Sequence, residues 1–129
     1  MTFDNHSRDS LVMGLLAASA FIAWGLIANW QHGWGTRLQV AATQGTISLL
    51  STFFSAELIV ALVKKVRHHR QRALIGGLMS YLIIYTFVLG GHFVAGTPEF
   101  WLTVLPGMIT GLFFCFGYAY RTSRKLQIT

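Results

Sequence analysis

Polar and apolar positions along this chain fall into long blocks rather than into alternation. Residues 11–28 are apolar apart from Ser19. Residues 38–63 form a longer and more polar block, and 73–94 and 101–120 are again strongly apolar. A helix that crosses a hydrocarbon layer of about 30 Å needs roughly 20 predominantly apolar residues. The blocks therefore predict four transmembrane helices, at about 11–30, 38–63, 73–94 and 101–120. The connections, 29–37, 64–72 and 95–100, are short, and short links make consecutive helices antiparallel neighbours. The expected object is an all-α, four-helix up-down bundle that forms one transmembrane domain over residues 1–129.

The first block has to be weighed against a cleaved leader, because Arg8 precedes it and Ala18-Ser19-Ala20 resembles a cleavage site. The apolar run continues for two more turns to Ala28, and Asp4 and Asp9 spoil the basic leader, so a retained helix is expected. Orientation follows from lysine and arginine in the short loops. With the N-terminus inside, the inner side carries Arg8, Lys64, Lys65, Arg67, Arg70, Arg72, Arg121, Arg124 and Lys125, and the outer side carries only Arg37. Both termini are therefore expected on the cytoplasmic side. Trp30, Trp34 and Trp101 at the outer ends of the blocks, and Tyr118 and Tyr120 at the inner end, fit interfacial aromatic belts.

Composition agrees with this pattern. Apolar residues make up 53% of the chain and charged residues 11%, against about 25% charged in an ordinary soluble domain. The net charge of +6 is concentrated beside apolar runs, where lipid headgroups explain it and nucleic acid does not. The 64–72 loop, with His68 and His69, is expected to meet anionic headgroups. A single cysteine, Cys115, excludes an internal disulfide and a multi-cysteine metal site. No metal or cofactor is expected.

The second block holds most of the candidate chemistry. It contains Thr43, Gln44, Thr46, Ser48, Ser51, Thr52, Ser55 and Glu57. At 100° per residue, Arg37, Gln44, Ser48, Ser51 and Ser55 fall within an arc of roughly 60°. This stripe has two readings: a lined pathway for a polar substrate, or serines that let helices approach and hydrogen-bond. Glu57 is the sole carboxylate inside a block and an intramembrane ionisable group by position. It is expected near the inner exit of the pathway, with Arg72 as partner.

Elsewhere, Tyr81, Tyr85 and His92 share one helix face, and His32, His92 and Glu99 form a possible outer-side polar cluster. Thr97-Pro98-Glu99 reads as a helix start, with threonine as cap and proline at the first position. Gly107 and Gly111 make a G-x-x-x-G packing pair behind Pro106. Gly76 with Ser80 and Gly14 with Ala18 are further small pairs. No phosphate-binding glycine loop, nucleophile elbow, paired carboxylates or H-E-x-x-H occurs, and no residue is singled out as catalytic.

Four helices in about 130 residues with both ends cytoplasmic resemble the GtrA-like small membrane proteins. That resemblance rests on architecture and carries no motif. It implies movement of lipid-linked sugars across a bacterial inner membrane. Locally, the stretch from Ser51 to Glu57, S-T-F-F-S-A-E, is similar to the S-T-F-S-x-E stretch of small fluoride channels. Here one residue is inserted, the stretch lies in the second span instead of the third, and the glycine-rich arginine motif of those channels is absent. No functional expectation follows from it.

Three functions are compatible with the residues. The first is transport or flipping of a polar, ionic or lipid-linked substrate by a homo-oligomer, with Arg37, Gln44, Ser48, Ser51, Ser55 and Glu57 lining the route. The second is an accessory subunit of a larger membrane complex, with the stripe as its interface to another membrane protein. The third is an intramembrane lipid-modifying enzyme using His92 and Glu99.

Overall fold

The computed structural model describes the backbone of residues 3–128 and the side chains of residues 8, 9 and 11–127. Four helices account for nearly all of it: α1 (Phe3–Ala28), α2 (Trp34–Lys65), α3 (Arg72–Ala95) and α4 (Phe100–Ile128). Each is long and apolar enough to cross a membrane. Many large apolar side chains are left on the surface, with Phe93 79%, Val94 87% and Phe113 74% exposed. In water such a surface would associate or aggregate. Against lipid it is the solvated face, and the chain is an integral multi-pass membrane protein.

Three helices clearly exceed the apolar blocks that announce them, and α1 does so by starting at Phe3, eight residues before its block. Helix α2 starts at Trp34, four residues before the block, because the Gly33 carbonyl already accepts from Arg37 N–H at 3.1 Å. Its 32 residues run about 48 Å at 1.5 Å per residue, well beyond an apolar layer of about 30 Å. Helix α4 continues past Tyr120 through the basic tail. Arginine, lysine, glutamine and leucine lose little side-chain freedom in a helix, so the polar end stays wound.

The α3–α4 turn differs from its expected form. Gly96 adopts φ +68°, Gly96 N–H bonds the Phe93 carbonyl and Thr97 N–H bonds the His92 carbonyl. This is a Schellman closure of α3, with glycine at the one position that needs a left-handed backbone. Thr97 thus ends α3 instead of capping α4.

Contacts between the helices fall into two compact units. Unit 1 comprises Met1–Phe53 and Val88–Pro106, and unit 2 comprises Phe54–Phe87 and Gly107–Thr129. In unit 1, Gly25 of α1 lies against Val40, Ala41 and Gln44 of α2, and Gly45 of α2 receives Ile22 of α1 so closely that a Cβ there would sit 2.7 Å from it. Gly91 of α3 receives Ile47 in the same way. Small residues at helix contacts bring backbones together where the hydrophobic effect gives no drive. Pro106 cannot donate to the Leu102 carbonyl one turn back. Trp24 Nε1 of α1 donates to that carbonyl instead, at 2.9 Å.

Unit 2 has an apolar centre of Ile59, Val63, Cys115 and Ala119, with Tyr81, Ile84, Tyr118 and Leu126 packed around it. Gly77 meets Phe116 and Ala119, and Gly76 meets Val63. Gly111 serves a close approach, but to a side chain: the Tyr85 ring lies over it, and the Tyr85 hydroxyl donates to the Gly107 carbonyl. Tyr81, its ring tilted 37° against that of Tyr85 at 4.5 Å between centres, donates to the Met108 carbonyl at 3.2 Å. Ser80 returns its hydroxyl to Gly76 at 2.6 Å. Each of these hydroxyls ends on a backbone carbonyl.

Candidate functional site

Unit 1 is built differently, because its interior is polar. Asn29, Arg37, Gln44, Ser48, His92, Thr97 and Thr103 are all buried, and Asn29, His92 and Thr103 have no exposed surface. Inside lipid a polar group has no water to fall back on, so its partners must come from the protein.

Asn29 is fully supplied. Lying just past the end of α1, its Nδ2 donates to the Gly25 carbonyl at 2.9 Å and to Thr103 Oγ1 at 3.0 Å. Its Oδ1 accepts Glu99 N–H at 3.3 Å, and the Glu99 carbonyl accepts the first helical bond of α4 from Thr103 N–H at 2.9 Å. Asn29 therefore caps the start of α4 from another helix, the role that the sequence assigns to Thr97.

Thr97 turns to His92 instead, with Oγ1 at 2.9 Å from Nδ1, so side chain and backbone both tie it to that residue. His92 Nε2 is buried and has no partner. Gln44, on α2, is also buried and makes no hydrogen bond among the described residues. The α2 segment that carries Gln44 runs against the α3 segment that carries His92. Gln39 Nε2 donates to the Ala95 carbonyl at 3.1 Å, and Ile47 fills the space beside Gly91.

Arg37 sits in the first turn of α2. Its guanidinium is sandwiched between Trp30 at 4.3 Å and Trp34 at 4.1 Å from the ring centres, and Nε reaches the Leu26 carbonyl at 3.4 Å. Stacking on two indoles holds the planar fork while leaving its edge directed elsewhere. Arg37 has no carboxylate partner among the described residues; His32 Nε2 lies 3.1 Å from Glu99 Oε1, both side chains part-exposed.

The stripe on α2 is accordingly an inward-facing feature. Arg37, Gln44 and Ser48 are buried in unit 1, Ser51 is half-buried and donates to the Ser48 carbonyl at 3.3 Å, and Ser55 is buried in unit 2. Glu57 does not belong to it. It is exposed, because two residues past Ser55 is 200° around the helix. Its expected partner, Arg72, donates from Nε to the Val66 carbonyl at 2.8 Å and closes the α2–α3 loop. Of the outer cluster, His32 and Glu99 meet while His92 pairs with Thr97, and the described residues hold no group of three metal-ligating side chains. The loop cations Lys64, Lys65, Arg67 and Arg70 are exposed.

Sequence reasoning missed Asn29, Thr103 and Trp24. A signal did exist for the first two: a lone amide just past one apolar run and a lone hydroxyl just inside another, both near the same membrane face. Trp24 could have been found from Pro106, which frees a carbonyl that some donor must take. Comparison with protein-family models, with characterised proteins and with solved structures returns no match.

Proposed function

We propose that the protein moves a polar or anionic group across a bacterial inner membrane through unit 1, as a flipping protein for a lipid headgroup or a transporter of a small ion. In this reading the basic α2–α3 loop faces the cytoplasm and the Trp30–Arg37–Trp34 clamp meets the substrate on the outer side. The observation that carries the reading is the spare hydrogen-bonding capacity of unit 1. A purely structural polar core satisfies its members, and a buried group left unmet costs about 1–3 kcal/mol. His92 Nε2 is buried and unmet, and the Gln44 side chain makes no hydrogen bond among the described residues. A passing hydroxyl, phosphate oxygen or hydrated ion supplies what they lack. Arg37, stacked and without a carboxylate, supplies the charge that selects an anionic group.

The test uses the full chain in liposomes with two probes, scrambling of fluorescently labelled phosphatidylglycerol and efflux of inorganic phosphate. Gln44→Leu and His92→Phe should each lower the rate of the supported probe by about tenfold or more, the effect of removing one interaction worth about 1.4 kcal/mol. Thermal unfolding should show both variants folded. Undiminished flux in both variants, or no flux of either probe with the wild-type chain, refutes the route and favours the accessory-subunit reading.

A further inference from the structure

The first turn of α2 gathers hydrogen-bond donors that nothing in the chain accepts. Arg37 is only 7% exposed, yet of its five guanidinium N–H groups only Nε–H has a partner, the Leu26 carbonyl. Nη1 and Nη2 make no hydrogen bond among the described residues. They are not sealed in either, because His92 Nε2 is the one enclosed side-chain atom without a partner among those residues. The free edge of the fork therefore opens to the surroundings, while the indoles of Trp30 and Trp34 stack on its faces. The backbone adds to it. The N–H groups of Trp34, Gly35 and Thr36 precede the first bond of α2, from Arg37 N–H to the Gly33 carbonyl, and no acceptor meets them among the described residues. Gly33 has no side chain to act as a cap, and space is open beside Gly33 and Gly35. The indole N–H groups of Trp30 and Trp34, both well exposed, also lack an acceptor there.

Charge points the same way. A helix start carries about half a positive charge, and Arg37 carries a full one. No acidic residue stands in the first turn of α2. The four carboxylates of the chain are placed elsewhere. Asp4 and Asp9 lie at the start of α1, at least 17 residues or about 26 Å along the helix from Leu26. Glu57 is 20 residues, or about 30 Å, down α2 from Arg37. Glu99 has Oε1 at 3.1 Å from His32 Nε2. Stacking and one carbonyl offset part of the cost of burying the Arg37 cation and leave its charge unpaired. The donor geometry selects the anion. A planar fork with parallel N–H groups matches two oxygens side by side, which a halide does not offer. A carboxylate would occupy the fork alone, whereas a tetrahedral phosphate keeps further oxygens for the indole and first-turn N–H groups. Trp30 and Trp34 stand between two apolar runs, at the level of an interfacial belt, where a phospholipid carries its phosphate.

We infer that the Trp30–Arg37–Trp34 stack and the first turn of α2 form a binding site for a phosphate group, held by the Nη edge of Arg37 and supplied by a phospholipid or by free phosphate. The site deepens the proposed function and rests on that reading for its role as the entrance to the route; the binding itself is measured without flux.

The experiment is isothermal titration calorimetry of the full chain in a neutral, phosphate-free detergent at fixed ionic strength. The probes are inorganic phosphate, dioctanoylphosphatidylglycerol and chloride. Saturable heat is expected with at least one phosphate probe and none with chloride, and the probe that saturates names the source. Arg37→Lys keeps the charge and loses the fork, and should raise the dissociation constant by about tenfold, the loss of one hydrogen bond to a charged group. Trp34→Leu, at an exposed position, should raise it by about threefold and decides the matter where Arg37→Lys does not fold. Arg70→Gln, in the loop beyond the other end of α2, should leave it unchanged. Equal heats from chloride and phosphate overturn the site. So does no saturation by either phosphate probe, an unchanged constant in both Arg37→Lys and Trp34→Leu, or a loss in Arg70→Gln as large as theirs. Binding as expected in a chain that carries no flux in liposomes leaves the site standing and overturns the transport reading alone.

Discussion

Asn29→Ala tests whether the polar interior of unit 1 is held by a cap supplied from another helix. The substitution removes three hydrogen bonds from a fully buried position. The bond to Gly25 costs little, because that carbonyl also accepts Asn29 N–H at 3.3 Å. The other two join different helices. Losing the acceptor for Glu99 N–H is the loss of a helix cap, about 1 kcal/mol. Losing the bond to Thr103 Oγ1 forfeits an interhelical side-chain bond, which averages about 0.6 kcal/mol in a membrane. The sum is a destabilisation of about 1.5–2 kcal/mol, read by reversible unfolding in mixed detergent micelles. Thr103→Val alone should cost about 0.6 kcal/mol, and the double variant should cost less than the two singles together, because both remove the same bond. A single-variant effect within about 0.3 kcal/mol of wild type, or strict additivity of the pair, refutes the tie between α1 and α4.

Two further substitutions probe helix contacts. Trp24→Phe should cost about 1 kcal/mol, because Leu102 loses the donor that replaces the missing Pro106 N–H; in a Pro106→Ala background, where the helix supplies its own donor, the same substitution should cost clearly less, and equal costs in the two backgrounds would count against the compensation. Gly45→Val should destabilise by about 1–3 kcal/mol through overpacking against Ile22, whereas Gly90→Ala, with nothing within 4 Å of the new methyl, should stabilise α3 by about 0.5–1 kcal/mol; both are read by thermal unfolding, and similar effects at the two glycines would show that the α1–α2 approach is looser than described.

The four helices were legible because the hydrocarbon layer imposes a length, and runs such as 73–94 meet it without interruption. The inward stripe was legible for a similar reason. Arg37, Gln44, Ser48 and Ser55 repeat close to the helical period, so one orientation of α2 buries them all. Glu57 lies outside that period, and grouping it with the stripe by proximity in sequence ignored two residues' worth of rotation. Thr97 shows a different limit. It stands between two helix ends, each able to use its hydroxyl, and local sequence does not decide between them. The decision comes from Asn29, 70 residues from Glu99 in the chain, which caps α4 and frees Thr97 for His92. No local rule carries that information.

The two units handle their polar groups in ways that bear on where activity lies. In unit 2 the hydroxyls of Ser80, Tyr81 and Tyr85 each donate to a backbone carbonyl that is already part of a helix. Those carbonyls keep their helical bonds and accept a second, so each hydroxyl is closed by itself and asks nothing of a ligand. In unit 1, Asn29 and Thr103 are closed in the same sense, but His92 has one nitrogen engaged by Thr97 and one unengaged, while Gln44 is buried with no hydrogen bond among the described residues. If burial of polar residues served packing alone, both units would be expected to close their groups, since an open one is costly in either. Among the described residues the buried side-chain atom without a partner, His92 Nε2, lies in unit 1, which also holds the stacked Arg37. In the proposed function, a substrate that repays the desolvation of His92 Nε2 would act there.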